Sequence, residues 1–133
     1  NLCDHIVFLG NQNPVEELYS IGDLFLIPSA SESFGLSALE AMACGVPVIS
    51  SNAGGLPEVN INGKTGFTCD IGDVECMGHQ AVHILESPQR WAEFSRNARE
   101  TAMSFSLEAI VPYYEQYYQR VLDKSRSHEP LRP

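Results

Sequence analysis

Two glutamates eight positions apart, Glu32 and Glu40, bracket the segment Ser33-Phe34-Gly35-Leu36. An ionised carboxylate accepts hydrogen bonds through two oxygens, so a pair at this spacing suits the recognition of hydroxyl groups. Gly35 has no Cβ and lets a ligand approach the backbone closely. Leu36, Leu39 and Ala43 recur at helical spacing and predict a helix over residues 36–44, closed by Gly45 and Pro47. The backbone N–H groups around Ser33, Phe34, Gly35 and Leu36 then lie at its first turn. Donors there lack intrahelical partners and the helix dipole is positive, an arrangement that suits a phosphate or sugar-phosphate oxygen. Glu32, just ahead of the helix, would accept from sugar hydroxyls. Glu40, one turn further in, would take both hydroxyls of a ribose, as an acidic residue does in dinucleotide folds. A plainer reading leaves Glu32 as a residue that merely favours the positive end of a helix. Glu40 weighs against it: flanked by Leu39, Ala41 and Met42, it is expected on a mostly apolar helix, where a carboxylate needs a partner or a ligand.

The elements that must position these residues alternate between apolar runs and short helical patterns. Residues 5–10, 23–28, 46–50 and 66–69 read as four buried strands, and residues 15–21 and 36–44 as helices between the first three. A Gly-Gly-Leu-Pro loop at 54–57 and an Asn62-Gly63 turn precede the fourth strand. This order predicts an α/β fold, a Rossmann-like parallel sheet with flanking helices. Three helices follow without strands, over residues 73–86, 88–103 and 106–123, with Asp70 or Asp73 and Ser106 as caps. Residues 125–133 read as a polar, proline-rich tail, leaving 1–124 as one domain. Four strands are few for an open doubly wound sheet, and the chain opens on Asn1 rather than Met. One or more β-α units are therefore expected ahead of residue 1.

The chain is one domain long and carries 44% apolar and 19% charged residues, ordinary for a globular protein. No apolar run approaches the roughly 20 residues of a membrane span. A net charge of −9 excludes nucleic acid as an expected partner. Within residues 1–89, eleven carboxylates face one cation, Lys64. Any diphosphate bound in this half must find its cationic partners elsewhere. Cys3, Cys44, Cys69 and Cys76 form no Cys-x-x-Cys pair and are expected as free, mostly buried thiols in a reducing cytoplasm.

Other spacings carry less. His79 and His83 stand at i and i+4, but Gln80 occupies the place of a metalloprotease glutamate and no third ligand is evident, so solvent-facing histidines and no metal are expected. Gly63-Lys64-Thr65 ends like a Walker A loop, but Glu58 stands at its first glycine position. Cys44 reads as packing. Tyr113, Tyr114, Tyr117 and Tyr118 form an aromatic stripe, expected to be core for half of its members and otherwise an exposed contact face open to self-association as a homo-oligomer.

Residues 28–49, which contain Glu32-Ser33-Phe34-Gly35-Leu36-Ser37-Ala38-Leu39-Glu40 and Gly45-Val46-Pro47, closely resemble the E-x7-E block of retaining GT-B glycosyltransferases of the family 4 type. Phe8-Leu9-Gly10, Gly54-Gly55-Leu56-Pro57-Glu58 and the 62–67 segment match further signatures of that family in the same order. The resemblance implies a nucleotide sugar, commonly a UDP-sugar, bound to the C-terminal of two Rossmann-like domains. Glu32, Phe34, Gly35 and Leu36 would hold the donor sugar, the 33–36 segment through Ser33, Gly35 and Leu36 the diphosphate, and Glu40 the ribose. Asn11, Gln12 and Asn13 would lie against the base. Transfer would retain anomeric configuration without a metal or other cofactor. The family's Arg/Lys diphosphate clamp and its N-terminal acceptor domain have no counterpart here. A stand-alone binding module on the same fold and a flavodoxin-like domain are the rival readings. The isolated chain is expected to show no multiple turnover when incubated with UDP-sugars and a range of acceptors, measured as UDP release.

Overall fold

The computed structural model describes residues 1–126. Its centre is a parallel sheet of three strands, β1 (Phe25–Ile27), β2 (Val48–Ser51) and β3 (Gly66–Cys69), in the spatial order β1-β2-β3. Phe25 aligns with Val48, and Val48 in turn with Gly66. Six helices surround the sheet: α1 (Glu16–Ser20), α2 (Leu36–Ala43), α3 (Leu56–Val59), α4 (Val74–Leu85), α5 (Pro88–Met103) and α6 (Leu107–Arg126). The expected α/β class with flanking helices holds.

All four residues of β2 are buried, and their alternation divides the core between the two faces of the sheet. Val48 joins Ile27, Ala38, Ala41, Met42, Leu56 and Val59 on one face. Ile49 joins Cys69, Met77, Ile84 and Phe94 on the other. α5 serves both faces, since Phe94 lies in the second cluster and Ala98 and Ala102 in the first. The small side chains of Ala98 and Ala102 let α5 approach α2 closely. The Trp91 indole N–H donates to the Asp23 carbonyl at 2.6 Å, fixing α5 to the entrance of β1.

Beneath the sheet's first core layer lies a buried polar network that the hydrophobic pattern does not disclose. Asn60 Nδ2 donates to the Val48 carbonyl at 3.1 Å, the Ser50 hydroxyl at 2.9 Å and the Phe67 carbonyl at 3.0 Å. Its Oδ1 accepts from the Thr65 hydroxyl at 2.9 Å, and that hydroxyl accepts from the Ile61 N–H at 2.8 Å. One side chain thereby joins β2, β3 and the end of α3.

Expectations for residues 5–10, for residues 54–57, for the buried face of α2 and for the cysteines require correction. Residues 5–10 are not a strand: Leu2–His5 is a 3-10 turn, and Val7 and Phe8 stand 79% and 94% exposed. An apolar run acquires strand structure only by pairing, and residues 5–10 pair with no strand of the sheet. The sheet therefore has three strands where four were expected. Residues 54–57 are not wholly loop, because α3 begins at Leu56 with Pro57 in its first turn, a position where a missing N–H costs nothing. The buried face of α2 is Ala38, Ala41 and Met42, whereas Leu36 is 65% exposed and Ala43 exposed. Finally, Cys69 and Cys76 form a disulfide with Cα atoms 6.0 Å apart, and only Cys3 and Cys44 are free thiols. Asp73 caps α4 by accepting from the Cys76 N–H, which turns Cys76 back beside the last residue of β3. The case for a reducing compartment cannot rest on that pair.

The tyrosines at 113, 114, 117 and 118 are all exposed, so none is core. The expected boundary after residue 124 falls within α6, and residues 127–133 of the expected tail lie outside the described residues. Asn60→Ala should lower stability by about 2–3 kcal/mol by stranding buried partners on both strands, measured by urea unfolding. A loss below about 0.5 kcal/mol would show that the network is not holding the strands.

Candidate functional site

Two loops leave the carboxyl ends of adjacent parallel strands, the place where open α/β sheets bind ligands. One follows β1 and carries Glu32, Ser33 and Phe34 into α2; the other follows β2 and carries Ala53, Gly54 and Gly55 into α3. The Ser51 hydroxyl donates to the Ser29 carbonyl at 2.5 Å and ties the two strand ends together.

The loops meet backbone to backbone. A Cβ placed on Gly54 would lie 1.6 Å from the Glu32 carbonyl oxygen, and one on Gly55 would lie 2.8 Å from that of Ser33. Gly54 also holds φ +52°, in the left-handed region that side chains disfavour. Gly35 completes the contact at φ +95°, where a Cβ would come within 2.9 Å of the buried Leu56 side chain. Three glycines thus let the entrance of α2 rest directly on the entrance of α3.

α2 consequently starts without a side-chain cap, since its N-cap is Gly35. Its first-turn N–H groups are left without intrahelical partners, at the positive end of the helix dipole. The helix begins at Leu36, where its periodicity places it: Gly35 caps it, and Ser33 and Phe34 lie in the approaching loop. Ser33, Phe34 and Leu36 are exposed, and Gly35 is buried. Glu32 is half-buried, and its Oε1 accepts from the Ser33 N–H at 3.0 Å.

Glu40 stands exposed on α2, not buried on an apolar surface as expected. The reason is which face turns inward: Ala38, Ala41 and Met42 enter the core and leave Glu40 on the outer side. It has a partner that sequence spacing did not disclose. The Tyr19 hydroxyl of α1 donates to Glu40 Oε2 at 3.3 Å. Burial, and then the adjacent Glu40 charge, raise the Tyr19 phenol above its ordinary value. Asn11, Gln12 and Asn13 are exposed ahead of α1, with the Gln12 amide donating back to the Leu9 carbonyl at 2.5 Å. The structure joins residues 32–36 with 53–56 and joins α1 to Glu40, whereas the Gln12 side chain bonds back to Leu9 and not to α2.

The Phe34 ring meets Phe105 edge-on with centroids 6.1 Å apart. Beside it opens a cleft of about 340 Å³ lined by Phe34, Phe105, Ile110, Tyr113 and Tyr114. His79 and His83 are exposed, and the His83 ring lies edge-on to Phe67. Cys44 is half-buried against the first core cluster, in keeping with packing. Among the described residues, no helix is long and apolar enough to cross a membrane.

Residues 1–101 match the family described as Glycosyl transferases group 1. The chain belongs to that family. N-acetyl-alpha-D-glucosaminyl L-malate synthase of Bacillus anthracis is 44% identical over 120 residues, which are 90% of this chain and 32% of that protein. Sucrose-phosphate synthase of Thermosynechococcus elongatus superposes with a TM-score of 0.83 at 34% identity, over 92% of this chain and 32% of that one. HepE of Anabaena, solved in complex with UDP, superposes with a TM-score of 0.80 at 29% identity, over 92% of this chain and 33% of that one. The chain spans about a third of the length of these glycosyl transferases and relatives. Its fold is that of a GT-B C-terminal domain.

The glycine contacts predict an unequal cost of side chains. Gly54→Ala should cost about 2–3 kcal/mol, combining left-handed strain with the clash against Glu32. Gly63, at φ +75° with open space around it, should cost only about 1 kcal/mol on the same substitution. Urea unfolding of both variants checks this, and equal losses would show that the two loops do not need their close approach.

Proposed function

We propose that residues 1–124 are the donor-binding part of the C-terminal domain of a retaining glycosyltransferase. The whole protein would bind a UDP-sugar such as UDP-N-acetylglucosamine and pass its hexosyl group to an acceptor hydroxyl. The observation that carries this reading is the uncapped start of α2 at Gly35, with Glu32 before it and Glu40 one turn into it. At about 1.5 Å rise per residue, Leu36 and Glu40 are roughly 6 Å apart along the helix axis, a spacing that suits a phosphate at one and a ribose at the other.

In this reading the Ser33, Phe34, Gly35 and Leu36 backbone receives diphosphate and sugar oxygens. Glu32 would exchange its bond from the Ser33 N–H for donor sugar hydroxyls. Glu40 would bind the ribose, and Asn11, Gln12 and Asn13 would flank the base. The UDP complex of HepE supports the uridine diphosphate, and the name of the Bacillus anthracis relative supports an N-acetylglucosaminyl donor. The relatives' greater length leaves room for an N-terminal GT-B domain and for cations that residues 1–89 lack. That domain, or a second copy of the chain, would find an aromatic surface on α6. The cytoplasm is the compartment we propose for the whole protein. The Cys69–Cys76 bond is the feature that weighs against it.

Titrating UDP by calorimetry into the whole protein carrying this chain tests the reading. Glu40→Ala should weaken UDP roughly 10- to 100-fold, the loss of hydrogen bonds to a charged acceptor. No heat from UDP or UDP-N-acetylglucosamine with the unaltered protein would leave an α/β interaction module that reuses the fold.

A further inference from the structure

We infer that Tyr19 is a positioning residue that holds the Glu40 carboxylate for a ligand's ribose, an inference that rests on the ribose reading of Glu40. Glu40 is an exposed residue on the outer side of α2, and a glutamate side chain in that setting ordinarily samples many rotamers and loses entropy when fixed. Among the described residues no cation pairs with Glu40; Arg90 pairs instead with Glu86, far along the chain. The Tyr19 hydroxyl, at 3.3 Å from Oε2, is the contact that holds the carboxylate.

Tyr19 itself is well anchored. Its ring packs against the first core cluster and meets Phe25 of β1 edge-on, with centroids 5.4 Å apart and planes 83° apart. The sheet therefore fixes the phenol, and the phenol fixes the carboxylate. Burial first, and then the groups around the ring, Glu40, Cys44 and Glu16, with no cationic side chain among them, keep the phenol protonated. A protonated phenol beside a carboxylate can only donate to it. A carboxylate offers about four lone-pair positions on two oxygens. One bond from Tyr19 on Oε2 leaves Oε1 and the outer side of Oε2 for two vicinal hydroxyls, the pattern that a ribose presents.

A merely structural bond, tying α1 to α2, would make a different prediction. The two are separated by ligand chemistry in the whole protein carrying this chain, with UDP and 2′,3′-dideoxy-UDP as probes. Tyr19→Phe keeps the ring and its contact with Phe25 and deletes only the hydroxyl. It should weaken UDP about twofold to tenfold, the worth of one hydrogen bond, and leave dideoxy-UDP within twofold of the unaltered protein. Glu40→Gln should discriminate the same two ligands, and the double variant should lose little beyond Glu40→Gln by itself, because both act through one group. Thermal unfolding of Tyr19→Phe within a degree or two of the unaltered protein shows that the fold is intact.

Equal weakening of both ligands by Tyr19→Phe, or weakening of neither, overturns the positioning role. If Glu40→Gln still discriminates them in that case, the ribose reading stands without Tyr19. If Glu40→Gln fails to discriminate them, or UDP does not bind at all, the ribose reading fails and the role of Tyr19 falls with it.

Discussion

Where the loop after β2 crosses the loop after β1, no side chain separates the two backbones. Gly54 and Gly55 lie against the carbonyls of Glu32 and Ser33, and Gly35 lies against Leu56. The first-turn donors of α2 and Glu32, proposed to touch a ligand, follow from that contact. It sets the direction in which α2 begins, keeps its first turn uncapped, and holds Glu32 beside that turn. The Ser51–Ser29 bond beneath it ties the ends of the strands that supply both loops. Asn60, bonded to β2 and β3 together, keeps the neighbouring strand in register under α3. The site is thus built from main chain resting on main chain, and side chains enter only at its margins.

That construction fits the charge distribution. With Lys64 as the one cation among residues 1–89, an anion at the sheet's carboxyl edge has backbone donors and a helix dipole to meet it. Carboxylates on either side of such a pocket would repel a phosphate but accept from hydroxyls. Glu32 and Glu40 therefore make sense as partners of sugar rings, with the phosphates lying between them. The aromatic cleft of Phe34, Phe105, Tyr113 and Tyr114 continues the same region toward α6, so the loop that would hold the sugar is also the loop that meets the exposed tyrosine face.

Much of this was legible in the residues themselves. Glycine at 35, 54 and 55, proline at 57 and glutamate at 32 and 40 mark the two loops, and apolar runs at 23–28, 46–50 and 66–69 mark the strands. Helix α4 follows from its cap, Asp73, which accepts from the Cys76 N–H, and α5 from its periodicity and the proline at its start. Less legible was anything that depends on what lies across a gap. An apolar run at 5–10 has strand composition, but composition does not supply a neighbour to pair with. Leu36, Leu39 and Ala43 share a helical face on paper, but the fully buried residues of α2 are Ala38, Ala41 and Met42, with Leu39 only partly buried against the same cluster.

The sequence by itself determined the alternation of apolar segments, the glycines that permit close approach, and the pair of carboxylates around them. These are properties of single residues and short spacings, where local sterics and periodicity decide. Only the tertiary structure decided that Glu40 faces outward to meet Tyr19 from 21 positions away, that Cys69 reaches Cys76, and that Asn60 serves two strands at once. Each of these joins groups whose separation along the chain carries no periodic signal. Their partners are chosen by which surfaces the packed helices leave open, and packing is a property of the whole chain.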